Sequence, residues 1–581
     1  MKRIFALCLL VSSSLAQVAL PNPPILPPNA SAGAVTSSGN TPNTQWSTLL
    51  GEGLYFYEAQ RSGKLPSTNR VSWRNDSALD DGKDVNLDLT GGYYDAGDYI
   101  KCTYPLSFAV MSICWGALDY GTGYDNANQT AYLDDMLRWT LDWLIKVHPE
   151  NDTLYVQVAT SDLDNAYWGG DLNIPTPRPS FPINDTHPGT DAAAQASAAF
   201  SACSALYANR TSPAPFDKRA SLQNDTYAAT LLTHAQQLYA FAQNATGGQT
   251  TYQTSVPVAG EAYASSSYQD ELVLAALWLA GAENSTALYS EAEAMYKKFG
   301  LAGWDGVFNW DSKTPGLPVL FAQLSQAGLG GNMSKWQSES EVYFDNIVNN
   351  GGPGYLTPGG LLWYDGDSDD ASLNPALNAA MLMSRYSTMA TSSSKQTTYQ
   401  NFSKGQLDYF LGKNPMNVPY VVGVNPNAPT NPHSAMASGG DNISAIDTSP
   451  PVEAYVLYGA VPGGPSKTDQ FFDLRSDWVE SEPAMDYSAP FLTLAAMHVG
   501  DAADPYYTRL QAGAYAQVKP SGMPCDDAYP CKGGSGGGGG HGLSKVAKIV
   551  IGVVVGLVGL VILVLFGLWA WYGMRRRSKK Y

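Results

Sequence analysis

Apolar residues recur along this chain mostly at helical spacing. Across 131–147, Leu133, Met136, Leu137, Leu141, Leu144 and Ile145 follow the i, i+3, i+4, i+7 rule, which draws one apolar stripe and predicts a helix facing a core. Residues 228–242 repeat the pattern with Leu231, Leu232, Ala235, Leu238 and Tyr239. Further helices are predicted near 192–208, 269–281, 286–298, 372–390, 396–411 and 489–499, and the apolar run 106–118 predicts a buried one. Long stretches of Gly, Pro, Asn and Asp separate them, and period-two alternation is nearly absent. The pattern predicts an all-α domain that carries its chemistry on loops, beginning at Trp46, Leu49, Leu50 and Leu54.

The two ends break this pattern. Residues 1–16, MKRIFALCLLVSSSLA, join a basic start to a short apolar core and a small-residue cleavage site, which predicts a signal peptide and a mature chain from Gln17. Residues 17–43, rich in Pro, Asn, Ser and Gly, predict a flexible leader. The domain is expected to span 44–504, followed by an irregular Cys-containing and Gly-rich linker, 505–548. Residues 549–572 are an unbroken apolar run of bilayer length, ending in Trp569, Trp571 and Tyr572. Arg575, Arg576, Arg577, Lys579 and Lys580 follow in the tail 573–581. The positive-inside rule then predicts a single-pass type I protein of the cell membrane, its tail cytoplasmic and its domain extracellular.

Composition narrows the class. A net charge of −18 argues against nucleic acid as a partner. Asn-x-Ser/Thr occurs at Asn29, Asn75, Asn128, Asn151, Asn184, Asn209, Asn224, Asn244, Asn284, Asn332, Asn401 and Asn442, which suits a glycosylated extracellular domain. Cysteine spacing carries no zinc pattern. Cys525 and Cys531 flank a short DDAYP loop and are expected to pair; Cys102, Cys114 and Cys203 leave one pair and one free thiol, in an order that spacing does not decide.

The most informative stretch is GGYYDAGDYIKCTYPLSFAVMSICWGAL, residues 91–118. Asp95 and Asp98 stand three apart around Ala96–Gly97, among Tyr93, Tyr94, Tyr99 and Tyr104. Glycines turn the backbone, rings stack on pyranose faces, and paired carboxylates perform acid–base work at a glycosidic bond. An Asp-x-x-Asp loop alone is more often a turn and a helix cap.

GGYYDAGDYIK resembles the signature of glycoside hydrolase family 9, the inverting endoglucanases. The resemblance continues in order through LYVQVATSDLDNAYWGG, YASSSYQDELVLAALWL, FNWDSKTPG, LDYFLGKNPMNVPYVVG and ESEPAMDYSAPF, over about 44–500. It implies an (α/α)6 barrel with an open cleft, Asp98 as base, Asp95 helping to hold the water, and Glu482 as acid. Trp168 and Tyr487 are implied as sugar-stacking rings and His433 as a hydroxyl contact. Chemistry needs no cofactor on this reading. SSSYQDEL resembles a calcium-binding block, with Asp270, Glu271, Asp311 and the carbonyls of Ser266 and Ser267 as oxygen ligands for a structural ion away from the reaction.

The chain also departs from the family. Ser434 and Ala435 replace a His and an Arg, while Asp370 and Asn374 stand where the family has Trp and Arg. The cleft loses two guanidinium groups that neither Ala nor Asn replaces. The resemblance thus implies a membrane-tethered, monomeric endo-β-1,4-glucanase (a cellulase), with a β-glucan as substrate. Its alternatives are an inverting hydrolase of mixed-linkage or other wall β-glucan and an inactive glucan-binding surface protein.

Overall fold

The computed structural model describes residues 17–30, 39–208 and 218–531. Among these lie twelve helices of eleven residues or more. They are α1 (Thr44–Ala59), α2 (Thr103–Tyr120), α3 (Thr130–Val147), α4 (Thr190–Tyr207), α5 (Asp225–Asn244) and α6 (Gln269–Glu283), then α7 (Thr286–Phe299), α8 (Gly316–Gln326), α9 (Met333–Val348), α10 (Leu373–Ser387), α11 (Ser393–Phe410) and α12 (Met485–His498).

Burial alternates along this series. Most odd-numbered helices bury one face, as α7 covers only Tyr289, Ala292 and Tyr296, at i, i+3 and i+7, while α1 is buried continuously from Glu52 to Ala59. Even-numbered helices are buried almost all round; α4 is buried continuously from Thr190 to Ser204. In order, α2, α4, α6, α8, α10 and α12 each pack on the next, and α12 closes back on α2. The result is an inner ring of six helices inside an outer six, the expected (α/α)6 barrel. Small residues let the ring close: a Cβ at Gly116 of α2 would fall 2.0 Å from Thr493 Oγ1 of α12.

Short strands supplement the helices, where the sequence pattern predicts almost none. β1 (Lys101–Cys102), β2 (Thr153–Val158) and β3 (Ser180–Asn184) form an antiparallel sheet, and β4 (Tyr355–Leu356) pairs with β5 (Leu362–Trp363). The Cys114–Cys203 disulfide ties α2 to α4 and leaves Cys102 as a buried free thiol. Cys525 and Cys531 are disulfide-bonded as well.

Residues on either side of the expected 44–504 domain make contacts with its helices. The expected flexible leader is held against α3 over its described part: Val18 N–H donates to Asp134 Oδ2 (2.6 Å) and Ile25 N–H to the Tyr132 hydroxyl (2.8 Å). At the other end Tyr507, beyond the expected limit of 504, is 1 % exposed and donates to Gln45 Oε1 of α1 (2.8 Å). The expected signal peptide and membrane-spanning segment, 1–16 and 549–572, lie outside the described residues. Among the described residues no helix is long and apolar enough to cross a membrane. None of the sequon asparagines among them is buried.

Candidate active site

The Asp95–Asp98 loop enters α2 through β1 and is pinned from several sides. Tyr94 N–H donates to Gln60 O (2.9 Å), and the Gln60 amide returns to Ala96 O (2.6 Å). Met485 N–H, at the start of α12, donates to Asp95 O (3.0 Å), and Ala435 N–H to Gly97 O (2.9 Å). Asp164 accepts the backbone N–H groups of Tyr99 (2.9 Å) and Ile100 (2.7 Å). Gly97 N–H donates to Glu482 Oε1 (2.9 Å), which places the second expected catalytic carboxyl directly against the first loop.

Five carboxyls therefore share one site: Asp95, Asp98, Asp164, Glu482 and Asp486. Each has its own support. Asp95 Oδ2 accepts from the Tyr263 hydroxyl. Asp486 Oδ2 accepts from Asn374 Nδ2 (2.9 Å), while its buried Oδ1 has no partner. Among the described residues no hydrogen bond reaches the side chain of Asp98, which is partly open. Burial, opposed by the Gly97 N–H and reinforced by Asp95 and Asp164, pushes Glu482 up to about 8. Burial, against the Tyr263 hydrogen bond, takes Asp95 to about 7, and burial with the nearby Asp95 takes Asp486 to about 8. Burial, eased by the Tyr99 and Ile100 N–H groups, raises Asp164 to about 6. Asp98 is pushed well above the usual carboxylate range by burial, Asp164 and Glu482. Glu482 raises Asp98, so the two titrate as a coupled pair, and a proton on either one relieves the other.

His433 joins this group. Its N–H donates to Ser481 O (3.1 Å), next to Glu482, and its Nδ1 donates to Arg475 O (2.5 Å). Burial pulls its pKa down to about 4, so the ring is neutral, with Nε2 as acceptor. Tyr487 is half-buried beside Glu482 and Asp486.

Aromatic placement corrects two expectations. Trp168 is 3 % exposed and packs under His433 at a 4.8 Å ring separation, which leaves almost no face for a sugar. Tyr93, Tyr94, Tyr99 and Tyr104 are likewise buried and carry the loop rather than line a cleft. More accessible aromatic surface lies at Trp73 and Tyr455, stacked at 5.0 Å beside this cluster, with Tyr455 41 % exposed.

Of the residues expected to hold calcium, Glu271 faces an ammonium instead. Lys313 Nζ pairs with Glu271 Oε1 (2.8 Å), both side chains wholly buried, and the Tyr104 hydroxyl donates to the same oxygen (2.8 Å). Asp270 Oδ2 accepts Lys313 N–H (2.7 Å), Asp311 Oδ1 accepts Ser266 N–H (2.7 Å), and Ser267 O accepts from Ser265 Oγ (2.6 Å). Glu271 Oε2 lacks any donor, but the oxygens of Asp270, Glu271 and Asp311 do not all lie within 4.8 Å of one another, so the three do not form a ready cation cage. The group is not remote from the reaction. Trp310, next to Asp311, packs edge-on against Tyr263 at 4.8 Å, and Tyr263 holds Asp95.

Asp164, Tyr263, Trp73 and Tyr455 were not singled out from the sequence. Asp164 sits in SDLDNAYWGG as the fourth of five residues of a short helix, where an acid carries no special signal; only the fold turns it toward the Asp98 loop.

A cluster of carboxyls on the loops of a helical double barrel is the kind of site a glycoside hydrolase uses. The profile of glycosyl hydrolase family 9 matches residues 46–495, and the chain belongs to that family. It is an enzyme of the endoglucanase (cellulase) family. Endoglucanase 14 of Arabidopsis thaliana is 36 % identical over 77 % of this chain and 92 % of its own length. Endoglucanase A of Bacillus pumilus is 36 % identical over 76 % of this chain, a match spanning 64 % of that longer protein. Among solved structures, an endoglucanase from the termite Nasutitermes takasagoensis superposes with a TM-score of 0.69 at 36 % identity, covering 78 % of this chain and 98 % of that one. The Clostridium thermocellum endoglucanase CelQ, complexed with cellobiose and cellotriose, gives 0.67 at 27 % identity, over 83 % of this chain and 73 % of its own.

Proposed function

We propose that this family 9 enzyme is an endo-β-1,4-glucanase that cleaves by single displacement with inversion. Asp98 takes a proton from water as the water oxygen attacks the anomeric carbon, with Asp95 helping to hold that water. The glycosidic bond breaks, its electrons pass to the leaving oxygen, and Glu482 protonates that oxygen. Solvent returns the proton from Asp98 to Glu482. The observation that carries this reading is geometric: the Gly97 N–H ties Glu482 against the Asp95–Asp98 loop (2.9 Å), while among the described residues the partly open Asp98 side chain meets no donor and is free to take a water. His433 and Tyr487 border the acid and are assigned to sugar contact; Trp168 supports His433 from beneath. No step of this reading uses the calcium expected on Asp270, Glu271, Asp311 and the carbonyls of Ser266 and Ser267, where Lys313 already supplies a positive charge to Glu271.

The substrate is assigned as a β-glucan chain in an accessible, non-crystalline form. Asn374 spends its amide on Asp486, and Ala435 is buried with its N–H on Gly97 O. Neither offers the guanidinium that the family places there. Mixed-linkage glucan is the second reading these replacements favour. The protein is further proposed to be tethered by 549–572 with its catalytic domain outside the cell; protease treatment of intact cells checks this, a tag after Tyr581 surviving while the domain is cut away. The decisive experiment assays the full-length protein on carboxymethylcellulose, lichenan and laminarin, with fresh product anomers read by proton NMR. The α-anomer from a β-linked substrate is expected. Early β-anomer, or no cleavage of any of the three glucans, rejects the reading.

A further inference from the structure

A second group of carboxylates lies behind the catalytic acid, where the reaction makes no use of it. Asp477 caps the short helix Trp478–Ser481, which leads directly into Glu482; its Oδ1 accepts Glu480 N–H (3.2 Å). Glu480 Oε2 accepts Phe472 N–H (2.6 Å). The third member, Asp526, arrives from the C-terminal DDAYP loop, where its Oδ1 accepts Tyr529 N–H (2.8 Å). One carboxylate oxygen from each of the three lies within 4.8 Å of the others.

What marks this cluster is its unmet hydrogen bonding. Asp477 is 0 % and Glu480 1 % exposed, yet Asp477 Oδ2 and Glu480 Oε1 have no partner. Buried carboxylate oxygens without donors are rare and costly. The charged groups acting on the pair are all acidic: Asp526 on both, Asp447 on Asp477, and Asp473 on Glu480. Arg475, nearby in sequence, is turned away to Glu453 and to the Asp447 and Pro450 carbonyls.

We infer that Asp477, Glu480 and Asp526 form a binding site for a hard divalent cation of the calcium type. The donors are all carboxylate oxygens, with no His or Cys in the group, which selects against zinc and copper. Asp526 is half-buried, so the site opens on its side and water completes the coordination. A bound ion supplies the positive charge that the surrounding residues withhold. It also clamps the C-terminal loop to the turn that carries Glu482, separately from the Asp270–Glu271–Asp311 group.

The test uses full-length protein stripped with chelator, then titrated with calcium and, as a luminescent probe, with terbium; Trp478 and Tyr529 lie in the elements that supply the ligands and act as sensitisers. Wild type, Asp526→Asn and Glu480→Gln are compared by equilibrium dialysis. Each variant is expected to bind one calcium fewer, or to bind it at least about tenfold more weakly, and to lose calcium-displaceable terbium emission. Asp270→Asn is expected to keep this Asp526-dependent emission. Because Asp526 sits on a half-open loop, its variant folds even where Glu480→Gln does not. Wild-type stoichiometry and affinity in Asp526→Asn overturns the inference and leaves the two buried acids simply protonated.

Discussion

Gly97 shows how tightly the site is set at the scale of one residue. A Cβ there would lie 2.1 Å from His433 O and 3.0 Å from Glu482 Oε1, so any side chain drives the acid and the base loop apart. Misplacement by about 1 Å costs on the order of a hundredfold in rate. Gly97→Ala is therefore expected to lose at least about that much turnover while melting within a few degrees of wild type. Removing the chemistry itself, with Glu482→Gln or Asp98→Asn, is expected to lower kcat at least about a hundredfold and to leave glucan affinity largely intact; near-normal kcat in Asp98→Asn would shift the base role to Asp95. Asp164 calls for a subtler readout. Its charge raises Asp98, so Asp164→Asn should move the acidic limb of the pH–rate profile to lower pH, and an unmoved limb would make Asp164 a purely structural tie. Asp98 and Glu482 were legible as candidates because each lies inside a long ordered motif. Asp164 and Tyr263 were not, because an acid inside a short helix and a loop tyrosine carry no periodic or spacing signal until the barrel brings them to Asp98 and Asp95. Trp168 was assigned to sugar stacking by the family resemblance, and burial under His433 is a feature that no motif reports.

At the scale of elements, the Cys114–Cys203 link joins adjacent inner helices 89 residues apart in sequence. Closing so long a loop restricts the unfolded chain by on the order of 4 kcal/mol on the chain-entropy account. A Cys114→Ala/Cys203→Ala double variant is expected to melt a few degrees lower by calorimetry with activity at room temperature retained; an unchanged melting temperature would place the bond's effect elsewhere. Outer helices were the easiest elements to read, since their one-sided burial writes a period of 3.6 residues; α3 runs Thr130–Val147 where 131–147 was expected. Inner helices such as α4 are buried all round, so they were visible only as apolar or small-residue runs, and nothing local could order them into a ring. The strands escaped because β1, β4 and β5 are two-residue pairings, too short to alternate. The leader and the tail after 504 read as irregular from composition, but composition does not report the specific hydrogen bonds, such as Val18 to Asp134 and Tyr507 to Gln45, that hold them.

Across the whole molecule, buried acids set an unusual dependence of stability on pH. Burial first, with repulsion between neighbours, raises Asp95 and Asp477 to about 7 and Glu482, Asp486 and Glu453 to about 8. In the unfolded chain these groups return to about 4. The folded state therefore binds more protons than the unfolded one between these limits. Their stabilising contribution is complete below about 4 and is lost as pH rises through 7 and 8. Two kinds of group act in the opposite sense. His148 and His433, pulled down to about 4 by burial, lose their contribution as pH falls from about 6.5 toward 4. Lys101, pulled down to about 8 by burial despite its pairing with Asp81, adds stability only as pH rises above 8. Between pH 6.5 and 8 the acids act with neither opponent. The melting temperature of the full protein, measured with chelator present so that no cation masks Asp477, is expected to fall steadily across that interval. Ordinary surface carboxylates titrate below about pH 5 and cannot produce such a slope. Glu482→Gln removes one of the contributing protons and should flatten the fall. A melting temperature that holds level or climbs from pH 6.5 to 8 would mean that these carboxyls are ionised in the folded enzyme. Glu482 could not then serve as the acid at neutral pH.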